Sequence, residues 1–181
     1  SSSSAASDVY KRQKEYLEKV DVYCNNGLDS GYEGDLKTEV ECVEAAKAVY
    51  ALCLNESLSK HGQDIGTEQV IIENLANILI YAYVGDSTLS RVIQNKDLYV
   101  QKNQVVPELC AKVYTAEQGI RVMEYANKIL NSIYDGEIPK ELESKFAKLS
   151  KRLSLSTDTI GLKKIIGEKV VEAGGYPVQS L

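Results

Sequence analysis

With a single histidine, His61, among 181 residues, this chain cannot assemble the sites that helical proteins build from imidazole. A ferritin-like di-iron centre takes Glu-x-x-His pairs from facing helices, and the position three before His61 is Leu58. A histidine phosphotransfer bundle needs its histidine exposed in mid-helix. His61 instead precedes Gly62 at the end of a helical stretch, where an imidazole hydrogen-bonds terminal carbonyls or complements the helix dipole. Proline is equally scarce. Its three copies stand at edges: Pro107 near a helix start, Pro139 after Asp135-Gly136, and Pro177 beyond the last helix, all positions that a helical protein tolerates.

The four cysteines, Cys24, Cys42, Cys53 and Cys110, contain no C-x-x-C pair. Cys42 and Cys53 fall on a similar face of one predicted helix but too far apart along it to bond. Buried free thiols in a reducing compartment, cytoplasm or mitochondrial matrix, are expected. No run approaches the roughly 18 apolar residues of a membrane span; the most apolar, Ile78 to Val84, is short. No apolar signal-peptide region follows the polar Ser1 to Ser7. The glycine pair Gly174-Gly175 lacks the Lys-Ser/Thr of a phosphate loop and follows a helix, so it reads as a C-cap. The net charge of -5 argues against nucleic-acid partners, and Lys145, Lys148, Lys151 and Arg152 read as a solvated face.

What is present is helical periodicity. Apolar/polar alternation is never sustained, and with 44% hydrophobic residues the pattern predicts an all-α, up-down helical bundle of three long and two shorter helices. The long stretches run from Thr38 to Lys60, from Thr67 to Gln94 and from Glu108 to Ile133. The first carries Val43, Ala46, Val49, Tyr50, Cys53 and Leu54. Ile71, Leu75, Ile78, Ala82, Leu89 and Val92 form a single stripe in the second, with Thr67 as its expected N-cap. The third carries Leu109, Val113, Ala116, Ile120, Met123, Ala126 or Asn127, Leu130 and Ile133, and Asp135-Gly136 stops it.

Between the second and third helices, Gln94 to Val106 is polar and reads as a loop. Leu142, Phe146, Leu149 and Leu153 give a shorter helix, Glu141 to Arg152, a narrow apolar face. Leu162, Ile165, Ile166, Val170 and Ala173 give a matching stripe to the last, capped by Thr157 or Asp158. Tyr81, Tyr83, Tyr114 and Tyr125, at helical spacing, read as core or interface residues with the hydroxyl at the rim.

The order of these elements carries a resemblance. Gly62-Gln63, then Thr67-Glu68-Gln69-Val70-Ile71, then Leu75-Ala76-Asn77-Ile78-Leu79-Ile80-Tyr81-Ala82 resembles the C-terminal extension of very-long-chain-type acyl-CoA dehydrogenases and their bacterial relatives. The likeness extends over roughly residues 40 to 178 through the downstream helices and the close at Glu172-Ala173 and Tyr176-Pro177. Asn77 stands where the family usually has Asp, and Leu155-Ser156-Thr157 replaces a Pro-containing start to the last helix.

The resemblance implies a FAD-dependent parent enzyme of fatty-acid β-oxidation, in which a carboxylate removes the α proton of an acyl thioester and a hydride leaves the β carbon for FAD. Those groups belong to a catalytic body upstream of the extension. No catalytic, cofactor-binding or metal-binding residue is therefore expected in this chain, and no cofactor. Its expected partner is the catalytic domain of the parent, in a homodimer. The alternative is a stand-alone helical protein-interaction module.

Residues 3 to 13 look like the in-frame translation of a transposase sequencing adapter rather than native sequence. The expected organisation is then a non-native tail at 1-13, a linker with a short helix at 14-37 that starts at Lys14, and the bundle at 38-178. Between Lys14 and Val40, three lysines face seven acidic residues, a local charge of -4. That composition disfavours membrane binding, since interfacial helices are rich in Lys and Arg.

Overall fold

The computed structural model describes residues 2–27 and 29–178, and among them there is helix and no strand. The helices are α1 (Ser2–Asn26), α2 (Lys37–His61), α3 (Gln69–Gln94), α4 (Lys96–Gln101), α5 (Val106–Ile133), α6 (Lys140–Leu153) and α7 (Thr159–Ala173), with a 3-10 turn at Gly62–Thr67 between α2 and α3.

Helices α2, α3 and α5 pack on one another and form the centre of the bundle. Contacts on several sides explain why α2 is buried nearly all round. Cys42, Val43, Ala45, Ala46, Ala48, Val49, Ala51, Leu52 and Cys53 are all buried, and the alanines let neighbouring helices approach closely. Helix α6 lies on α2 and α5, α1 on α2 and α6, and α7 on α5. The helix α3 stripe is buried at all six expected positions, as is the four-residue face of α6.

Local chemistry sets the boundaries. Gly62, at φ 54°, ends α2 and opens the 3-10 turn. Thr67 does not cap α3, because its hydroxyl donates to the Asp64 carbonyl at 2.8 Å inside that turn; Glu68 flanks the helix without a side-chain cap. The expected loop between α3 and α5 contains α4, held by buried Tyr99 and by Gln104 N–H donating to the Tyr99 carbonyl at 2.8 Å. Two consecutive left-handed residues, Asp135 and Gly136, stop α5. Asp158 caps α7 by accepting from Gly161 N–H at 2.9 Å, and Gly174, at φ 67°, closes it.

Three further expectations need correction. Helix α1 begins at Ser2 and runs for 25 residues, where a short helix from Lys14 was expected; no proline or glycine interrupts 2–26, and Gly27 at φ 82° ends it. In α5 the buried stripe runs through Val122 and Ile129, while Ile120 faces solvent. No residue of the α7 stripe is fully buried, and only Leu162 and Ile166 are partly so. That helix rests on α5 at the bundle's edge, so its apolar side is only partly covered.

Candidate functional surface

The interior holds polar groups that satisfy one another. Tyr81 of α3 stacks on Tyr114 of α5 with ring centroids 5.6 Å apart, and its hydroxyl donates to the Thr115 carbonyl at 3.0 Å. Burial pushes the Tyr81 hydroxyl well above its ordinary range. Cys42 Sγ lies 3.7 Å from the same hydroxyl. Burial holds the Cys42 and Cys53 thiols at about 12, so both are neutral, unreactive core residues. The buried Ser57 and Thr115 hydroxyls donate to carbonyls one turn back in their own helices, Cys53 and Ala111. Neither is set beside a base.

His61 sits at the end of α2 with Nδ1 3.8 Å from Glu68 Oε1, and its buried Nε2 has no hydrogen-bond partner among the described residues. No group of three or more His, Cys, Asp or Glu among the described residues could hold a metal ion. Of the four tyrosines singled out, Tyr81 is core and Tyr83 is strongly exposed. Cys110 departs from the expected buried thiols, because it lies on the outward side of α5.

The basic residues of α6 are partly neutralised by pairing. Lys145 bonds Asp21 of α1 at 2.8 Å, and Arg152 bonds Glu41 at 3.0 Å. Each pair borders a cleft. One, of about 390 Å³, lies between α1, α2 and α6, where Tyr134 donates to Glu56 and the floor is Leu52 and Leu142. That bond and the negative charge behind it push the Tyr134 hydroxyl up to about 12. The other, of about 450 Å³, lies beside the start of α2 and is lined by Glu39, Glu41, Lys151, Arg152 and the Ser154 to Thr157 segment. Burial raises the Glu39 carboxyl above its ordinary range.

The outer surface is less ordinary than the interior. Helix α3 exposes Ile72, Leu79, Ile80, Tyr83 and Val84 on the sides opposite its buried stripe. Helix α7 exposes Ile160, Ile165, Val170 and Val171. Among the described residues no helix is long and apolar enough to cross a membrane, so these side chains belong to amphipathic helices with uncovered faces.

The sequence model described as "Acyl-CoA dehydrogenase, C-terminal domain" matches residues 45–146, from the first turns of α2 to the middle of α6. This is more than half of the chain. The chain belongs to the acyl-CoA dehydrogenase C-terminal domain family. Within this C-terminal domain the match takes in α3, with its uncovered face, α5 and most of α2, and leaves α1 and α7 outside. The solved structure titled "Crystal Structure of Acyl-CoA Dehydrogenase complexed with FAD from Bacillus anthracis" is similar at a TM-score of 0.77 and 20% identity over 92% of this chain. At that identity the likeness speaks for the helical fold. The C-terminal domain described here spans 28% of the length of that solved chain. No curated protein matches this sequence.

Proposed function

We propose that this chain is the non-catalytic C-terminal helical domain of a FAD-dependent acyl-CoA dehydrogenase of fatty-acid β-oxidation, and that it packs on the catalytic body and supports the dimer. The observation that carries the reading is the family match over residues 45–146, made by a chain that spans 28% of a solved dehydrogenase. The domain's own residues supply packing rather than chemistry. The hydroxyls of Ser57, Thr115 and Tyr81 are engaged with backbone carbonyls.

The character of the two clefts supports a packing role over a flavin site. They are bordered by carboxylates already paired with Lys145 and Arg152, and a flavin site needs an apolar slot with a few convergent polar groups. No catalytic, cofactor-binding or metal-binding residue is assigned here. The flavin and the base belong to the upstream body. Purified alone, the 181-residue chain should retain no yellow flavin absorbance and should not reduce an electron acceptor with any acyl-CoA. Stoichiometric FAD in the purified chain would sink this division of labour.

The organisation we propose is a non-native tail at 1-13, a linker at 14-37 whose helix packs on α2 and α6, and the helical bundle at 38-178. The acidic balance between Lys14 and Val40 supports weak or absent membrane binding; salt-sensitive co-sedimentation with anionic vesicles would contradict it. The free thiols support a reducing location, cytoplasmic or in the mitochondrial matrix.

A further inference from the structure

Helix α3 carries no charged residue from Asn74 to Gly85, twelve positions or about 18 Å of helix. An amphipathic helix at a bundle surface normally turns a charged side to water, and one that is apolar all round is normally covered all round. Here α2 and α5 cover one side. The other presents Ile72, Ala76, Leu79, Ile80 and Tyr83, spaced so that they share one outward sector. Leu79 is 47% exposed, Ile80 60% and Tyr83 72%. Together the five side chains leave roughly 400 Å² of apolar surface, in the range of the largest patch on a monomer, which is often functional.

Three kinds of occupant differ in what they require. A lipid surface favours flanking Lys and Arg, but the patch is framed along the helix by Glu73 and Asp86. A second copy of the chain needs about 800 Å² per partner for a stable standard-size interface, more than this face offers. A domain of the same polypeptide needs less, because contacts within a chain bury as little as about 600 Å² in total and covalent linkage supplies a high effective concentration. The absence of charge in the patch also fits the dry core of a permanent contact.

We infer that the outward face of α3, centred on Leu79, Ile80 and Tyr83, is where the upstream catalytic body of the same polypeptide docks; this rests on the reading above that such a body exists. The test introduces Tyr83→Cys in a Cys110→Ser background, in the 181-residue chain and in the full-length protein of the native locus. A maleimide reagent then reports access to the new thiol. In the full-length protein the reaction should slow by at least about tenfold relative to the isolated chain, as burial of a thiol requires. A Lys128→Cys thiol, on the polar outward side of α5, should react at the same rate in both.

Equal Tyr83→Cys rates in a full-length protein that holds FAD and oxidises acyl-CoA would overturn this docking face and leave the functional reading standing. A native locus without a flavin-binding body would overturn the functional reading itself. Protection that appears in the isolated chain as its concentration rises would assign the face to a second copy. Protection of that chain by phosphatidylglycerol vesicles would assign it to lipid. Either result would overturn the inference.

Discussion

Gly119 should be the least replaceable glycine of the bundle, and alanine is the perturbation that shows it. A Cβ at this position, in the middle of α5, would lie 2.4 Å from the carbonyl oxygen of Leu153 and 3.1 Å from Cys42 Sγ. The first contact is with backbone at the end of α6, so it cannot be relieved by rotating a side chain. Relief requires α5 and α6 to separate, at a site where Leu153 and Cys42 are fully buried.

Alanine would gain about 1 kcal/mol in helix propensity, against an overpacking cost of about 1–3 kcal/mol. The close backbone contact puts the cost at the upper end. A net loss of about 1–2 kcal/mol lowers the melting temperature of a domain this size by roughly 2–8 °C. Two controls grade the effect. At Gly85 the added Cβ meets side chains rather than backbone, Val43 at 2.8 Å and Tyr114 at 3.8 Å, and at Gly167 it meets nothing within 4 Å. Melts followed by circular dichroism at 222 nm should rank Gly119→Ala below Gly85→Ala, with Gly167→Ala at or above the parent chain. A Gly119→Ala protein that melts at or above the parent would refute the close-packing account of the α5–α6 contact.

Tyr81→Phe should cost about 1 kcal/mol in urea unfolding, the net worth of the hydroxyl's bond to the Thr115 carbonyl; an unchanged midpoint would remove that bond from the core's stability. Burial is the chief cause of the raised Glu39 carboxyl, with Glu108 adding and its own backbone N–H and Lys112 opposing. The folded state therefore binds this proton more tightly than the unfolded state does. Glu39's contribution is fully present below its unfolded value and is lost as pH rises through the folded one. Glu39→Gln should accordingly raise stability at neutral pH and lose that advantage in acid; urea midpoints at several pH values would show it, and a pH-independent difference would contradict the burial argument. Asp158→Ala removes the α7 cap, worth about 1 kcal/mol. Because α7 has no buried side chain, the loss should appear as roughly fivefold faster amide exchange across the helix, with little change in the global melt.

The parts of the fold that could be read from sequence are those with a single-sided environment. Helices α3 and α6 each bury one stripe, and the three-four spacing of their apolar residues locates it. Helix α5 is less legible because it meets α2, α3, α6 and α7, so Val122 and Ile129 are covered as well as the regular series, while Ile120 is displaced to the surface. For α7, periodicity reports the side a helix could bury, yet coverage depends on how much neighbour is present. Helix α4 escaped because one buried tyrosine, Tyr99, organises an otherwise polar segment. Thr67 had the chemistry of an N-cap, but the intervening 3-10 turn used its hydroxyl first. The uncovered face of α3 left a signal in the sequence, the uncharged run from Asn74 to Gly85, which has meaning only once the packed side is known.

The native DNA immediately upstream of Lys14, read without the suspected adapter, tests the central claim most directly. The account predicts a continuous open frame that encodes a flavin-binding acyl-CoA dehydrogenase body. A native start codon at that point would contradict it and make the chain a free-standing helical member of the family.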